Sequence, residues 1–317
     1  MIDVTQPPYS CKFDWTGADA TATDNYPGLQ AAIHDASALT APGIDLGGSI
    51  GDVLQLPKGA GLVSKKLVLP FGVSMRGCGP SYYGTVLKMA DNFEPNDHFI
   101  DLGDSSTHMA AMGCSITDMI LYSRCTNAVA YRSMIFTNNA QDTDPIVGRC
   151  RIYAGNRCAV WGEIGYGGAS IINLRNLVCH NNGALNGADS PPIVYLKYGN
   201  GTLICVDGFE PAGPQGMGPN QIGMYCGGGS FDIRNFHVEQ CPTGFWIDLV
   251  NPGSTVHFEH GSGGSDVNHL VTICTRASQL GMISMKDVKK NGSTYVVFNG
   301  QSGASHVTAD ILAEQIF

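Results

Sequence analysis

One unit recurs through most of this chain: an apolar residue, a variable one, a turn-forming or charged residue, then a second apolar residue that opens a short strand. It reads Ile116-Thr117-Asp118-Met119, Val147-Gly148-Arg149-Cys150, Leu174-Arg175-Asn176-Leu177, Val206-Asp207-Gly208-Phe209, Ile233-Arg234-Asn235-Phe236 and Met285-Lys286-Asp287-Val288, with a degraded copy expected at Val256. The copies are spaced by roughly 25 to 30 residues. Between them lies a second series of apolar segments: NAVAY, CAVW, PPIVYL, QIGMY, TGFWIDL, HLVTI and STYVVF. Two interleaved series at one period predict a β-helix, in which each coil buries its apolar face only against its neighbours. A β-sandwich with long loops is the rival architecture.

Composition agrees with many short strands and tight turns. The 317 residues include 41 glycines and 16 prolines, and 43% are hydrophobic, enough for a long core. Only 14% are charged, with a net charge of −9 and no basic stripe, which argues against a nucleic-acid partner. No apolar run reaches the length of a membrane span, so no membrane insertion is expected. The eleven cysteines contain no CxxC pair. Cys114, Cys150, Cys179, Cys205, Cys241 and Cys274 lie in or beside apolar runs and read as buried free thiols rather than a zinc site or a disulfide framework. No metal and no cofactor is expected. The N-terminus lacks the basic and apolar regions of a secretory signal, so folding in a reducing cytoplasm is expected.

The strongest helix signal is TDNYPGLQAAIHDASAL. Asp24 or Asn25 can cap it, Pro27 suits its first turn, and Leu29, Ala32, Ile33, Ala36 and Leu39 share one face. Such a one-sided helix ahead of a strand array fits a lid over the open end of a solenoid. Downstream, GDVLQLPKGAGLVSKKLVLPFGVSMRGCG places Pro57 and Pro70 at strand ends, since proline cannot donate within a ladder. Gly77 and Gly79 supply turn conformations, and Arg76 is expected to cap turn carbonyls.

These elements, namely Gly17-Ala18, Thr23-Asp24, Gln30 to Ile33, Val53 to Gly59, Leu67 to Pro70 and Arg76-Gly77, resemble the opening segment of the pectate-lyase-like superfamily, in its phage tailspike and tail-fibre branch. The match is specific over about residues 10 to 80; beyond it only the coil pattern carries it. The resemblance implies an all-β fold, a right-handed single-stranded parallel β-helix with an N-terminal capping α-helix. On that frame residues 1–45 are the opening segment and capping helix, 46–300 the β-helix, and 301–317 a C-terminal cap or trimer-contact tail. It further implies a homotrimer in a virion tail, attached to other tail proteins, that recognises bacterial surface polysaccharide and in many members cuts it. The polygalacturonase motifs Asn-Thr-Asp, Asp-Asp, Gly-His-Gly and Arg-Ile-Lys do not occur, which disfavours pectin chemistry.

Coil stacking converts the repeat into a site expectation. Neighbouring strands lie about 4.8 Å apart, so residues at equal offsets from the first apolar residue form columns. Offset +1 gives Arg175, Asp207 and Arg234; offset +4 includes Glu210 and His237; offset +6 gives His180 and Glu239. Asp207, Glu210 and Glu239 are the candidate catalytic acids, one protonating a leaving oxygen while another activates water or attacks. His237 is an alternative base for an elimination. The competing reading makes Arg175–Asp207–Arg234 a surface ion-pair ladder. Arg175, Arg234 and His180 are candidate substrate contacts, as are the aromatic residues Trp246, Tyr195 and Tyr225; strand alternation points Trp246 outward if Phe245 and Ile247 point inward. Glu163 and Glu259 are reserves. The insertion PAGPQGMGPN is expected to wall a groove. Asp118, Asn176 and Asn235 read as a turn ladder. Two further readings stay open: a virion adhesin that binds glycan without cutting it, and a free-standing bacterial lyase or glycosidase.

Overall fold

The computed structural model describes residues 1–38, 51–103, 111–124, 132–137, 140–141, 143–163, 171–180, 191–198, 202–213, 221–249, 254–275, 281–289, 294–300 and 309–314. Its strands form two long parallel ladders, each climbing the chain in sequence order, and together they make a right-handed parallel β-helix. The first ladder runs Ile2–Asp3, Val53–Gln55, Ser74–Arg76, Ser115–Tyr122, Thr143–Tyr153, Ile171–His180, Leu203–Ala212, Ser230–Val238, Thr255–Gly263, Gly281–Lys289 and Ala309–Glu314. The second runs Leu67–Leu69, Ile100–Leu102, Ser133–Phe136, Cys158–Glu163, Val194–Lys197, Ile222–Gly227, Thr243–Leu249, His269–Thr275 and Thr294–Gly300. Gly59–Val63 and Thr85–Met89 branch from the first ladder, Val86 to Lys88 pairing with Ile120 to Tyr122.

The repeat is the register of the first ladder. Ile116, Val147, Leu174, Val206, Ile233, Phe258 and Met285 stand opposite one another in turn. Two details differ from the sequence reading. Val256 pairs with Phe231, so the degraded copy begins two residues later, at Phe258. In the coil that holds NAVAY, which lies outside the described residues, the second-ladder strand is Ser133–Phe136. Among the described residues the main core is a continuous cluster of buried apolar side chains from Val4 to Val288, beside a smaller cluster of Phe136, Cys158 and Trp161.

Each long strand of the first ladder carries one left-handed residue at offset +2: Asp118, Arg149, Asn176, Gly208, Asn235, His260 and Asp287, with φ between 50° and 70°. Asx residues and glycine tolerate that region best, so the turn ladder read from Asp118, Asn176 and Asn235 is a column of backbone kinks. Gly208 has φ 70°, and an added Cβ would lie 2.5 Å from Asn176 Oδ1. Gly208→Val is therefore expected to lower the unfolding free energy by about 2 kcal/mol, clearly more than Gly208→Asn. The midpoints of urea unfolding check the difference.

The capping helix spans Tyr26–Ser37 and buries Leu29, Ala32, Ile33 and Ala36; Leu39 lies outside the described residues. Asn25 stands at the N-cap, but its side chain bonds both backbone groups of Lys12, accepting from its N–H and donating to its carbonyl, each at 2.7 Å. The Asp24 carboxylate accepts instead from the Tyr26 and Ser64 N–H groups, each at 3.1 Å. Pro57 and Pro70 follow the strands Val53–Gln55 and Leu67–Leu69 as expected. Arg76 does not cap carbonyls; its guanidinium pairs with Asp118 at 3.3 Å. The cysteines in the described residues are free, and burial pushes the Cys114, Cys150 and Cys241 thiols up to about 12. Of the six cysteines expected to be buried, Cys205 is half-buried, and the Cys274 side chain lies outside the described residues. Among the described residues no helix is long and apolar enough to cross a membrane.

Candidate functional site

The left-handed kink falls between offsets +1 and +4, and it divides the candidate acids. On the +1 side the register is Arg175, Asp207, Arg234, Glu259, Lys286 and Glu314, an alternation of charge along the coil axis. Arg175 pairs with Asp144 at 2.9 Å, Arg234 with Asp232 at 2.9 Å and with Glu259 at 3.6 Å, and Lys286 with Glu259 at 3.1 Å. Asp207 accepts a hydrogen bond from the Asn235 amide at 2.7 Å. The Lys286 hydrogen bond foremost, with the Lys286, His260 and Arg234 charges, holds the Glu259 carboxyl below the usual range. Arg175 and Arg234 are ion-paired to Asp144, Asp232 and Glu259 and not to Asp207, so the expected Arg175–Asp207–Arg234 ladder does not form; the exposed network that does form joins Asp232, Arg234, Glu259 and Lys286. The reserve acid Glu259 is fully committed to it.

Beyond the kink, offsets +4 and +6 carry a second surface. Glu210 leads into the coil of His237 and Glu239, the latter bridged to Ala212. His237 Nε2 lies 3.0 Å from Glu239 Oε1, and its Nδ1 lies 2.7 Å from the Ser262 hydroxyl of the next coil. His180 feels both Glu210 and Glu239, yet burial foremost, assisted by Arg151, lowers its pKa, so the ring stays neutral near pH 7. The four expected residues His180, Glu210, His237 and Glu239 thus share one surface, apart from Asp207. The segment 214–220, most of the insertion expected to wall it, lies outside the described residues.

Upstream of His180 on this surface runs an aromatic row that the sequence reading did not name. Tyr153 stacks on His180 with ring centroids 5.1 Å apart, Tyr122 meets Tyr153 edge to face at 6.0 Å, and Trp15 meets Tyr122 at 6.1 Å. The Tyr82 hydroxyl reaches that of Tyr153 at 3.5 Å, from a turn whose Tyr82 and Tyr83 are 76% and 91% exposed. Behind the Trp15 end, buried Lys88 is held by Asp91 at 2.6 Å and Asp19 at 3.6 Å. The signal was present in the sequence: Tyr122, Tyr153 and His180 all sit at offset +6, past the four-residue motif on which the copies were aligned.

The other expected aromatic residues belong to the second ladder. Phe136, Trp161, Tyr195, Tyr225 and Trp246 are in register. Phe245 and Ile247 are buried and Trp246 is half-exposed, as alternation predicts. Trp161 on Tyr195 and Tyr195 on Tyr225 are nearly parallel stacks at 4.0 and 4.7 Å, and the Tyr225 hydroxyl donates to Asp248. Tyr195, stacked between Trp161 and Tyr225, has little face left for a sugar. Glu163 lies in the same ladder, opposite Lys197.

No family model matches the sequence, and no curated protein matches it. Among solved structures the chain is similar to the A-module of the Azotobacter vinelandii mannuronan C-5 epimerase AlgE4, with 14% identity over 99% of this chain and 96% of that one and a TM-score of 0.37. It is also similar to ORF18 of Geobacillus virus E2, with 13% identity over 98% and 61% of the two chains and a TM-score of 0.45. A third likeness is to the pre-mature gene product 12 of bacteriophage phi29, with 12% identity over 99% and 52% and a TM-score of 0.41. The chain therefore spans about three fifths and one half of the two phage proteins. No residue role follows from these likenesses.

Proposed function

We propose that this chain is a polysaccharide-binding β-helix of the tailspike kind, which holds a bacterial surface glycan along the Tyr82–Tyr122–Tyr153–His180 row and cuts it where the row meets Glu210, His237 and Glu239. The observation that carries the reading is this continuity: exposed Tyr82 and the half-buried Tyr122 and Tyr153 lead into two carboxylates and two imidazoles on one surface. Tyrosine offers an apolar ring and a polar tip at low entropic cost, which suits a sugar's apolar face and hydroxyl rim. Ladder geometry puts the Glu210 and Glu239 backbones about 8 Å apart, near enough for the two carboxylates to flank one glycosidic bond. Glu210 would protonate the leaving oxygen, and Glu239, oriented by His237, would activate a water. The opening-segment resemblance adds the homotrimer, the virion tail and the bacterial host to this reading.

Binding is tested on residues whose removal cannot disturb the core. The double variant Tyr82→Ala/Tyr83→Ala is expected to weaken retention on host capsule or lipopolysaccharide about tenfold or more, equivalent to ~1.4 kcal/mol, with an unchanged unfolding midpoint. Equal retention by wild type and variant in a glycan-affinity electrophoresis series would remove the row from the site. Failure of the wild type to bind any surface glycan would remove the reading itself.

A further inference from the structure

We infer that Ser262, His237 and Glu239 form a serine-hydrolase relay that removes O-acyl groups, so that the surface has an ester-cleaving activity besides any cleavage of glycan chains. Ser262 Oγ lies 2.7 Å from His237 Nδ1, and His237 Nε2 lies 3.0 Å from Glu239 Oε1. The carboxylate fixes the Nε2–H tautomer, which leaves Nδ1 free to accept the serine proton. The three groups come from sheet register: His237 and Ser262 are direct partners on adjacent strands, and Glu239 lies two residues along from His237, just past the end of its strand and bridged to Ala212. His237 and Glu239 side chains are 39% and 47% exposed, so an ester has access. Next in the column is Lys289, the register partner of Ser262, exposed and with no ion pair among the described residues. Its ammonium is placed to oppose an oxyanion.

The neighbouring coil contains a natural comparison. His257 Nδ1 lies 2.7 Å from Ser284 Oγ, also a register partner, and Glu259 is again two residues along. There the carboxylate is 4.0 Å from His257 Nε2 and is engaged by Lys286 and Arg234. A serine–histidine contact alone is thus a stacking habit of this sheet. The short bond to Glu239, which has no other side-chain hydrogen bond or ion pair among the described residues, is what separates the Ser262 group from it.

In the reaction Ser262 Oγ bonds to the acyl carbonyl carbon while its proton passes to His237 Nδ1. Collapse of the tetrahedral adduct breaks the ester C–O bond, and the alcohol leaves with that proton. Water then attacks the acyl-serine, giving it a proton back through His237 and releasing the carboxylic acid. The serine chemistry stands without the glycan reading; only the identity of the natural ester, an O-acetyl on the bound sugar, rests on it.

A fluorophosphonate probe on the full chain, with no glycan present, tests the relay by peptide mapping. Ser262 is expected to be modified at least about 100-fold faster than Ser284, the lower end of a positioned general base. Ser262→Ala should abolish that label and lower p-nitrophenyl acetate hydrolysis to background, while Ser284→Ala should keep both. Absent labelling of Ser262 in the wild type, equal labelling of the two serines, or unchanged ester hydrolysis in Ser262→Ala would each overturn the inference. None of these outcomes bears on glycan retention, so the two readings fail separately.

Discussion

Release of new chain ends from the host glycan is expected to fall about 10²–10⁴-fold when Glu210 is replaced by Gln, the usual worth of a positioned acid or base. The amide keeps the size and the acceptor oxygen but has no proton to give the leaving oxygen. Glu239→Gln should cost a similar factor for a different reason: it removes both the base and the carboxylate that orients His237 at 3.0 Å. Asp207→Asn supplies the contrast. Asp207 accepts from the Asn235 amide on the far side of the kink, away from Glu210 and Glu239, and its loss should leave the cleavage rate within about twofold, as for a surface change away from the site. New reducing ends report either cleavage, and absorbance from a new double bond marks elimination with His237 as base. Activity retained by both Glu210→Gln and Glu239→Gln would take the chemistry away from this surface.

The coils were legible because packing repeats: a buried apolar residue at offsets 0 and +3, with a kink residue between them, is demanded at every turn of the helix. The copy at Phe258 was misplaced for an instructive reason. Its +3 residue is Gly261, where an added Cβ would lie 2.0 Å from the Phe236 ring. The preceding coil's large side chain fills the volume, so the apolar signal disappears exchange by exchange rather than by loss of the coil. Placing the start at Val256 kept the inward and outward parity, because a two-residue slip preserves which face is buried. The site was legible only in columns. Glu210, His237, His180 and Glu239 were grouped because stacking acts on equal offsets. Asp207 was grouped with them because a sequence does not display the kink at Gly208, whose φ of 70° only the fold fixes. The Tyr122–Tyr153 row was missed because its members alternate with core residues beyond the motif, and Trp15 joins it from the opening segment, more than 100 residues upstream of Tyr122.

Phe245→Ala is expected to be the most damaging single truncation in the described core, at about 3–5 kcal/mol. Phe245 is wholly buried, and its ring meets Phe236 and Phe258 at 5.0 Å each and Phe209 at 6.5 Å. Three of these four aromatic residues come from successive strands of the first ladder, while Phe245 reaches them from the second. It therefore bonds the two ladders across the core as well as coil to coil, and no neighbouring apolar side chain in a close-packed interior can move in to fill the space of a ring. Because a solenoid couples each coil chiefly to its neighbours, the loss should appear first as faster proteolysis within the coils carrying residues 203–263, and only then as a lower urea midpoint for the whole chain. Trp246→Ala, one residue along but half-exposed on the outer face, removes a larger side chain and should cost well under half as much. If the two truncations shifted the midpoint equally, inward packing of Phe245 would not be what holds these coils together, and the register that gathers Glu210, His237 and Glu239 would need another source.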